Sequence, residues 1–188
     1  TLAHASGRDL NSLIGTLNTT GGLKPIAQNL SAKERTQLLA DSQRMGNSQR
    51  GQVIYHRKAM LCTTCHLIDN RGGKLGPDLT TVGSYMTSES LLESLLKPSS
   101  SIKQGYETVL ITTKDKALVA GLLQRKTGDS VLIRDTTGKV TAIPNNNVKK
   151  IDVSPVSLMP PALTASLRRD EMMDLLKYLT TLGKNNSR

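Results

Sequence analysis

The sequence predicts an α+β fold in which helical segments flank a β-rich insertion. Apolar residues recur at helical spacing near both ends of the chain, and capping residues stand where those segments begin. Between residues 103 and 155 the pattern changes to short runs rich in β-branched residues, broken by turn residues. The pentapeptide Cys62-Thr63-Thr64-Cys65-His66 lies in the helical part and is its chemical focus. The expected divisions are a helical segment over 1–45, a core made of 46–102 and 156–183, an insertion over 103–155 and a tail over 184–188. A chain of 188 residues has room for one domain and an added module.

In the first segment, Leu10, Leu13, Ile14 and Leu17 suggest a short amphipathic helix, broken by Thr19-Thr20-Gly21-Gly22. Ser31 is a candidate N-cap with Glu34 three residues on, the spacing of a capping box, and the helix it starts runs to about Arg44. This segment is either a collar on the core or the tail of an upstream domain. The chain opens Thr-Leu-Ala-His, which reads as a mature protein or an excised piece of one.

The core begins with Asn47 as the cap of a helix expected to continue through Gln52 to Met60. Gly51 and Tyr55 are four apart and share a face. A helical glycine costs about 1 kcal/mol relative to alanine, which suggests a close helix crossing at Gly51.

The pentapeptide follows. CxxCH is the pattern of a c-type haem attachment site. The two thiols add across the vinyl groups of one haem, and the adjacent histidine is placed to ligate its iron. Three other readings compete. A redox CxxC usually follows a strand, and none is expected before Cys62. A zinc site needs four ligands, whereas the chain has two Cys and three His in all, and His66 abuts Cys65. Chance co-occurrence of structural thiols is the third.

Residues 72–79, Gly-Gly-Lys-Leu-Gly-Pro-Asp-Leu, read as a loop. Its backbone is near enough in sequence to accept a hydrogen bond from the far ring nitrogen of His66, and Leu79 is expected on the haem face. Thr87 caps a third helix with Leu91, Leu92, Leu95 and Leu96 inward, and Pro98 stops it.

The insertion contains β-type runs at 109–113, 117–122, 131–134, 140–143 and 148–153, with turns at Lys114-Asp115, Thr127-Gly128-Asp129 and Thr136-Thr137-Gly138. It reads as a small antiparallel sheet or barrel without chemistry of its own. Met159-Pro160-Pro161 then forms a stiff loop, since a residue before proline is held extended. One thioether on such a loop suits the distal ligand of a haem iron; the alternative is a gap-filling core methionine. The last helix spans Arg168 to Leu182, with Met172, Leu175, Leu176 and Leu179 as its apolar stripe and Gly183 at the terminal cap position. Leu175 and Tyr178 are spaced to receive Gly51 and Tyr55.

Taken in order, Gly46 through Tyr55, Cys62 to His66, Gly76-Pro77-Asp78-Leu79, Met159-Pro160 and Leu175 to Tyr178 resemble a class I c-type cytochrome. With an insertion before Ser-Leu-Met-Pro, and with Gly105-Tyr106-Glu107-Thr108 at its start, the chain resembles the planctomycete and verrucomicrobial type of haem-binding domain. That type usually ends large secreted dehydrogenase-like proteins. The resemblance covers residues 46–183. It implies a cytochrome c-like helical haem core with an inserted antiparallel β-sheet or barrel. It implies one covalent haem c, Cys62 and Cys65 as thioether anchors, His66 and Met159 as axial ligands, and Pro77 as the backbone acceptor for His66. It further implies a one-electron carrier, not an enzyme, in a periplasmic or otherwise extracytoplasmic setting, between a dehydrogenase donor and a downstream acceptor. The chain departs from the family in two places. Arg168 stands where a Ser or Thr cap is usual, and no Trp is present to hold a propionate, leaving Arg71, Lys74 and Tyr106 as candidates. Two further functions stay open: a gas- or peroxide-reactive haem protein with a labile sixth ligand, and a recognition module in which the insertion docks a partner.

Composition bounds the rest. The chain has no Trp and no Phe, and its four aromatic residues are all Tyr. A core so poor in rings is easier to build around a large apolar cofactor. The net charge of +10 raises nucleic-acid binding. The charge is spread along the chain without a basic stripe or stacking aromatics, so a basic surface that steers docking to an acidic redox partner fits better. No apolar run approaches the roughly 20 residues of a membrane span.

Overall fold

Residues 25–184 are described in the computed structural model. The short helix expected at Leu10, Leu13, Ile14 and Leu17, and the tail beyond Lys184, lie outside them. The fold is mixed α+β, with helices on either side in sequence of a five-stranded antiparallel sheet.

Helix α1 spans Ala32–Met45. Its start is the expected capping box: Ser31 Oγ accepts from the Glu34 N–H, and the Ser31 N–H donates to the Glu34 carboxylate at 2.8 Å. Helix α2, Ser48–Tyr55, is capped by Asn47, whose side chain accepts from the Arg50 N–H. It is shorter than the sequence pattern suggests. His56 caps it, Arg57 is extended, and a separate 3-10 turn covers Lys58–Met60. Arg57 instead pairs with Glu171 at 2.7 Å. Helix α3, Cys62–Cys65, is a single turn. A two-residue hairpin follows, β1 (Leu67–Ile68) paired with β2 (Arg71–Gly72), and then the short α4, Val82–Tyr85. Helix α5, Ser88–Leu96, has the expected Thr87 cap and buries Leu91, Leu92, Leu95 and Leu96. The last helix, α6, spans Arg169–Thr181. Arg168 is its N-cap residue, and the Arg168 N–H is satisfied by the Glu171 carboxylate at 3.0 Å. Gly183 takes the left-handed conformation just past its end, φ +74°.

Helix α6 is the hub against which α1, α2, α4 and α5 pack. Its closest partner is α2, and the contact depends on Gly51. A Cβ there would lie 2.0 Å from the Asp174 carbonyl oxygen and 2.7 Å from Tyr178 Cβ. The backbones touch, which is the close crossing the sequence suggested. Tyr55 and Tyr178 continue the contact with ring centroids 5.7 Å apart.

Polar bonds lock the crossing. Asp174 is buried; its carboxylate accepts from the Asn47 N–H at 2.7 Å and from Arg50 Nε at 2.6 Å. Asp174→Ala removes the shared acceptor and strands a helix-terminal N–H. It is expected to destabilise by about 2 kcal/mol, discounted because Arg50 reaches solvent. Urea unfolding of the variant tests this, and an unchanged midpoint would show the pair to be dispensable. On the neighbouring face, the Gln37 amide and then the Arg169 guanidinium hold the Asp41 carboxyl below its ordinary range. A lowered folded value means that this stabilisation is present above about pH 4 and is lost as the pH falls through the folded value.

The insertion forms strands β3 (Thr108–Thr113), β4 (Leu118–Lys126), β5 (Ser130–Arg134), β6 (Val140–Pro144) and β7 (Val148–Val153), in the spatial order β6-β5-β4-β3-β7. Strands β6 and β7 are the two edges, yet only the 3-10 turn Asn145–Asn147 joins them. In a flat sheet those edges would be about 19 Å apart at roughly 4.8 Å per strand. Three linking residues span at most about 14 Å even when extended. The sheet therefore rolls up, and its inner face holds a separate apolar core of Val109, Ile111, Val131, Ile133 and Ile143. No helix among the described residues is long and apolar enough to cross a membrane.

Candidate functional site

Beside the helical core is a cavity of about 880 Å³, in the upper part of the roughly 300–1,000 Å³ usual for ligand and cofactor sites. Cys62, Cys65, His66, Pro77, Leu79 and Met159 all line it. They come from three stretches of chain: α3 and its end, the 72–79 loop, and the segment between β7 and α6.

The short α3 sets the cysteines and the histidine. Leu61, just before it, has φ +53°, an uncommon conformation for a side chain of that size. That residue turns the chain from the 3-10 turn into α3. His66 ends α3 in extended conformation. Its Nδ1 lies 2.8 Å from the Pro77 carbonyl oxygen. A carbonyl only accepts, so Nδ1 carries the proton and Nε2 keeps its lone pair. Burial lowers the His66 pKa, opposed by the Pro77 bond, and so favours the neutral ring that can act as a ligand.

The 72–79 loop is pinned to α3. The Gly73 N–H donates to Thr63 O at 2.9 Å and the Gly76 N–H to Cys65 O at 2.7 Å. A Cβ on Gly76 would meet the imidazole at 2.4 Å, so only glycine lets the loop lie against the His66 ring. That approach brings the Pro77 carbonyl within reach of Nδ1.

The thiols are not activated. Burial pushes Cys62 up to about 11 and raises Cys65 as well. Reactive cysteines have lowered values, so these protonated thiols in an apolar wall do not suit thiol–disulfide exchange. The zinc reading fares no better: among the described residues, no three His, Cys, Asp or Glu are grouped so as to hold a metal ion. A haem asks less of the protein, because its ring supplies the equatorial nitrogens and the chain need supply only axial ligands.

No protein-family model matches the chain, and no curated protein matches it either.

Met159 is partly buried and packs on the helical core. Its N–H donates to Ser157 Oγ at 3.1 Å. Arg71 and Lys74, the charged propionate candidates, do not line the cavity; both are exposed around the β1–β2 hairpin. Tyr106 does line it. Three wall residues carried no local signal in the sequence: Arg35, from α1 and paired with Glu93; Lys103, whose Nζ sits 5.5 Å from the Tyr85 ring centroid; and Thr136, from the β5–β6 turn. Each reaches the cavity only through tertiary packing.

Proposed function

We propose that this chain is a monohaem c-type cytochrome, built on a cytochrome c-like helical core, that carries single electrons. The observation that carries the reading is the composition of one cavity wall. Two protonated thiols, an imidazole oriented by a carbonyl and a thioether share a space of cofactor size. The donor set fits a haem: two sulfurs at vinyl-linking spacing, one neutral nitrogen ligand and one soft sulfur ligand.

Cys62 and Cys65 would each add their S–H across a vinyl group and hold the cofactor covalently. His66 would ligate through Nε2, with Pro77 fixing the tautomer and ring plane. Met159 would supply the second protein ligand to the iron. Leu79, Leu175 and Leu179 give the wall its apolar character and limit access of water. Arg35 and Lys103 offer cationic partners for the propionates, and Tyr106 also lines the cavity. The bound haem would supply the one-electron iron couple. A dehydrogenase donor and a downstream acceptor, in an extracytoplasmic compartment, complete the reading.

Co-expression with a c-type haem maturation system provides the test. The purified protein is expected to gain the mass of one haem and to keep its colour in the pellet after acid–acetone extraction. Cys62→Ala or Cys65→Ala is expected to leave a single thioether and a lower yield. Extraction of the haem from wild type into the acetone phase would defeat the proposal. Rapid carbon monoxide binding by wild type would instead favour a gas- or peroxide-reactive haem protein.

A further inference from the structure

The rolled sheet is joined to the Met159 segment by more than the chain itself. Thr108, the first residue of β3, is buried. Its hydroxyl donates to the Val156 carbonyl at 2.9 Å, and its own carbonyl accepts from the Ser154 N–H at 2.8 Å. Ser154 Oγ in turn accepts from the Val156 N–H at 3.1 Å. One residue on, the Ser157 N–H donates to Ser99 Oγ at 3.1 Å, which ties this segment to the chain just after α5. Ser157 Oγ then accepts from the Met159 N–H at 3.1 Å. Hydrogen bonds, joined through the peptide bond between Val156 and Ser157, therefore lead from β3 to the backbone of Met159.

The residue types suit the task. Nothing in the apolar packing of β3 requires a hydroxyl at Thr108, since valine has the same shape and at least as good a strand preference. The hydroxyl has one partner, the Val156 carbonyl. That carbonyl belongs to a segment without regular structure, where each side-chain bond narrows the accessible backbone conformations. The insertion also lines the cavity directly, through Thr136 of the β5–β6 turn.

We infer that Thr108 and Ser157 are positioning residues for Met159, and that the β insertion determines how firmly the thioether is held at the cavity. The inference rests on the proposal that Met159 is the sixth ligand. The insertion is then part of the redox site, and a partner that binds the sheet has a physical route to the distal ligand.

The experiment compares wild type, Thr108→Val, Thr108→Ser and Ser157→Ala as full-length holoproteins. Hydrogen–deuterium exchange of peptides covering residues 154–160 reads the tether without reference to the haem. Losing one net hydrogen bond predicts about fivefold faster exchange there in Thr108→Val and in Ser157→Ala. The methionine-to-iron charge-transfer band should weaken in both, carbon monoxide should bind faster by a similar factor, and Thr108→Ser should restore wild-type behaviour. If Thr108→Val cannot be obtained folded, Ser157→Ala carries the same expectations. Exchange, band and carbon monoxide rate all equal to wild type overturn the inference and leave the Met159 assignment standing. A wild type that lacks the band and binds carbon monoxide at once overturns both.

Discussion

Gly51→Ala is expected to destabilise the protein by about 2 kcal/mol or more, against the helix-propensity gain of about 1 kcal/mol. On an isolated helix the substitution would be favourable. Here the new methyl would sit 2.0 Å from the Asp174 carbonyl oxygen, 2.6 Å from the carbon that bears it and 2.7 Å from Tyr178 Cβ. None of these is the tip of a flexible side chain. Relief requires α2 and α6 to separate, and that separation loosens the Asn47 and Arg50 bonds to Asp174 together with the Tyr55–Tyr178 contact. Tyr55 from one helix and Leu175 from the other both line the cavity, so the damage reaches the site. A lower urea midpoint with an unchanged slope is the expected signature. Stability equal to or above wild type would mean that α2 and α6 can separate at little cost.

Much of the secondary structure was legible locally because caps and turns are local chemistry. Ser31 with Glu34, Asn47 and Thr87 each begin the helix their side chains suggest. The five β-type runs correspond to the five strands, and the turn residues between them mark the reversals. The end of α2 was not legible. No Gly or Pro follows Tyr55, and the chain turns there while Arg57 is drawn to Glu171, which lies 114 positions away. The β1–β2 hairpin was missed although a signal existed: Asp69 and Asn70 both take positive φ, the conformation of a tight hairpin turn that these two residue types tolerate. That turn also explains why Arg71 is exposed and does not line the cavity. Of the site, the cysteines and His66 announce themselves by spacing. Met159 needed its rigid loop to be noticed. Arg35, Lys103 and Thr136 reach the cavity by packing alone, and no pattern along the chain marks them.

If the proposed haem is held with Met159 as its sixth ligand, Met159→Ala is expected to lower the reduction potential by on the order of 100 mV, a modest part of the roughly 0.8 V that axial ligands span. The argument runs from ligand softness. A thioether favours the softer ferrous iron, so its removal shifts the balance toward the ferric state. The vacated position should admit carbon monoxide, and the methionine-to-iron charge-transfer band should disappear. Attachment should persist, because Cys62 and Cys65 are on α3 and its 72–79 loop is pinned by bonds that do not involve Met159. The fold should also persist at a cost of about 2 kcal/mol or less, because Met159 is only partly buried against the core. Potentiometry, carbon monoxide binding and mass spectrometry on one preparation separate these effects. Loss of the covalent haem together with the band would point to a collapsed domain and not to a missing ligand. An unchanged potential and an unchanged band would make Met159 a packing residue, and the sixth ligand would have to be sought elsewhere on the cavity wall.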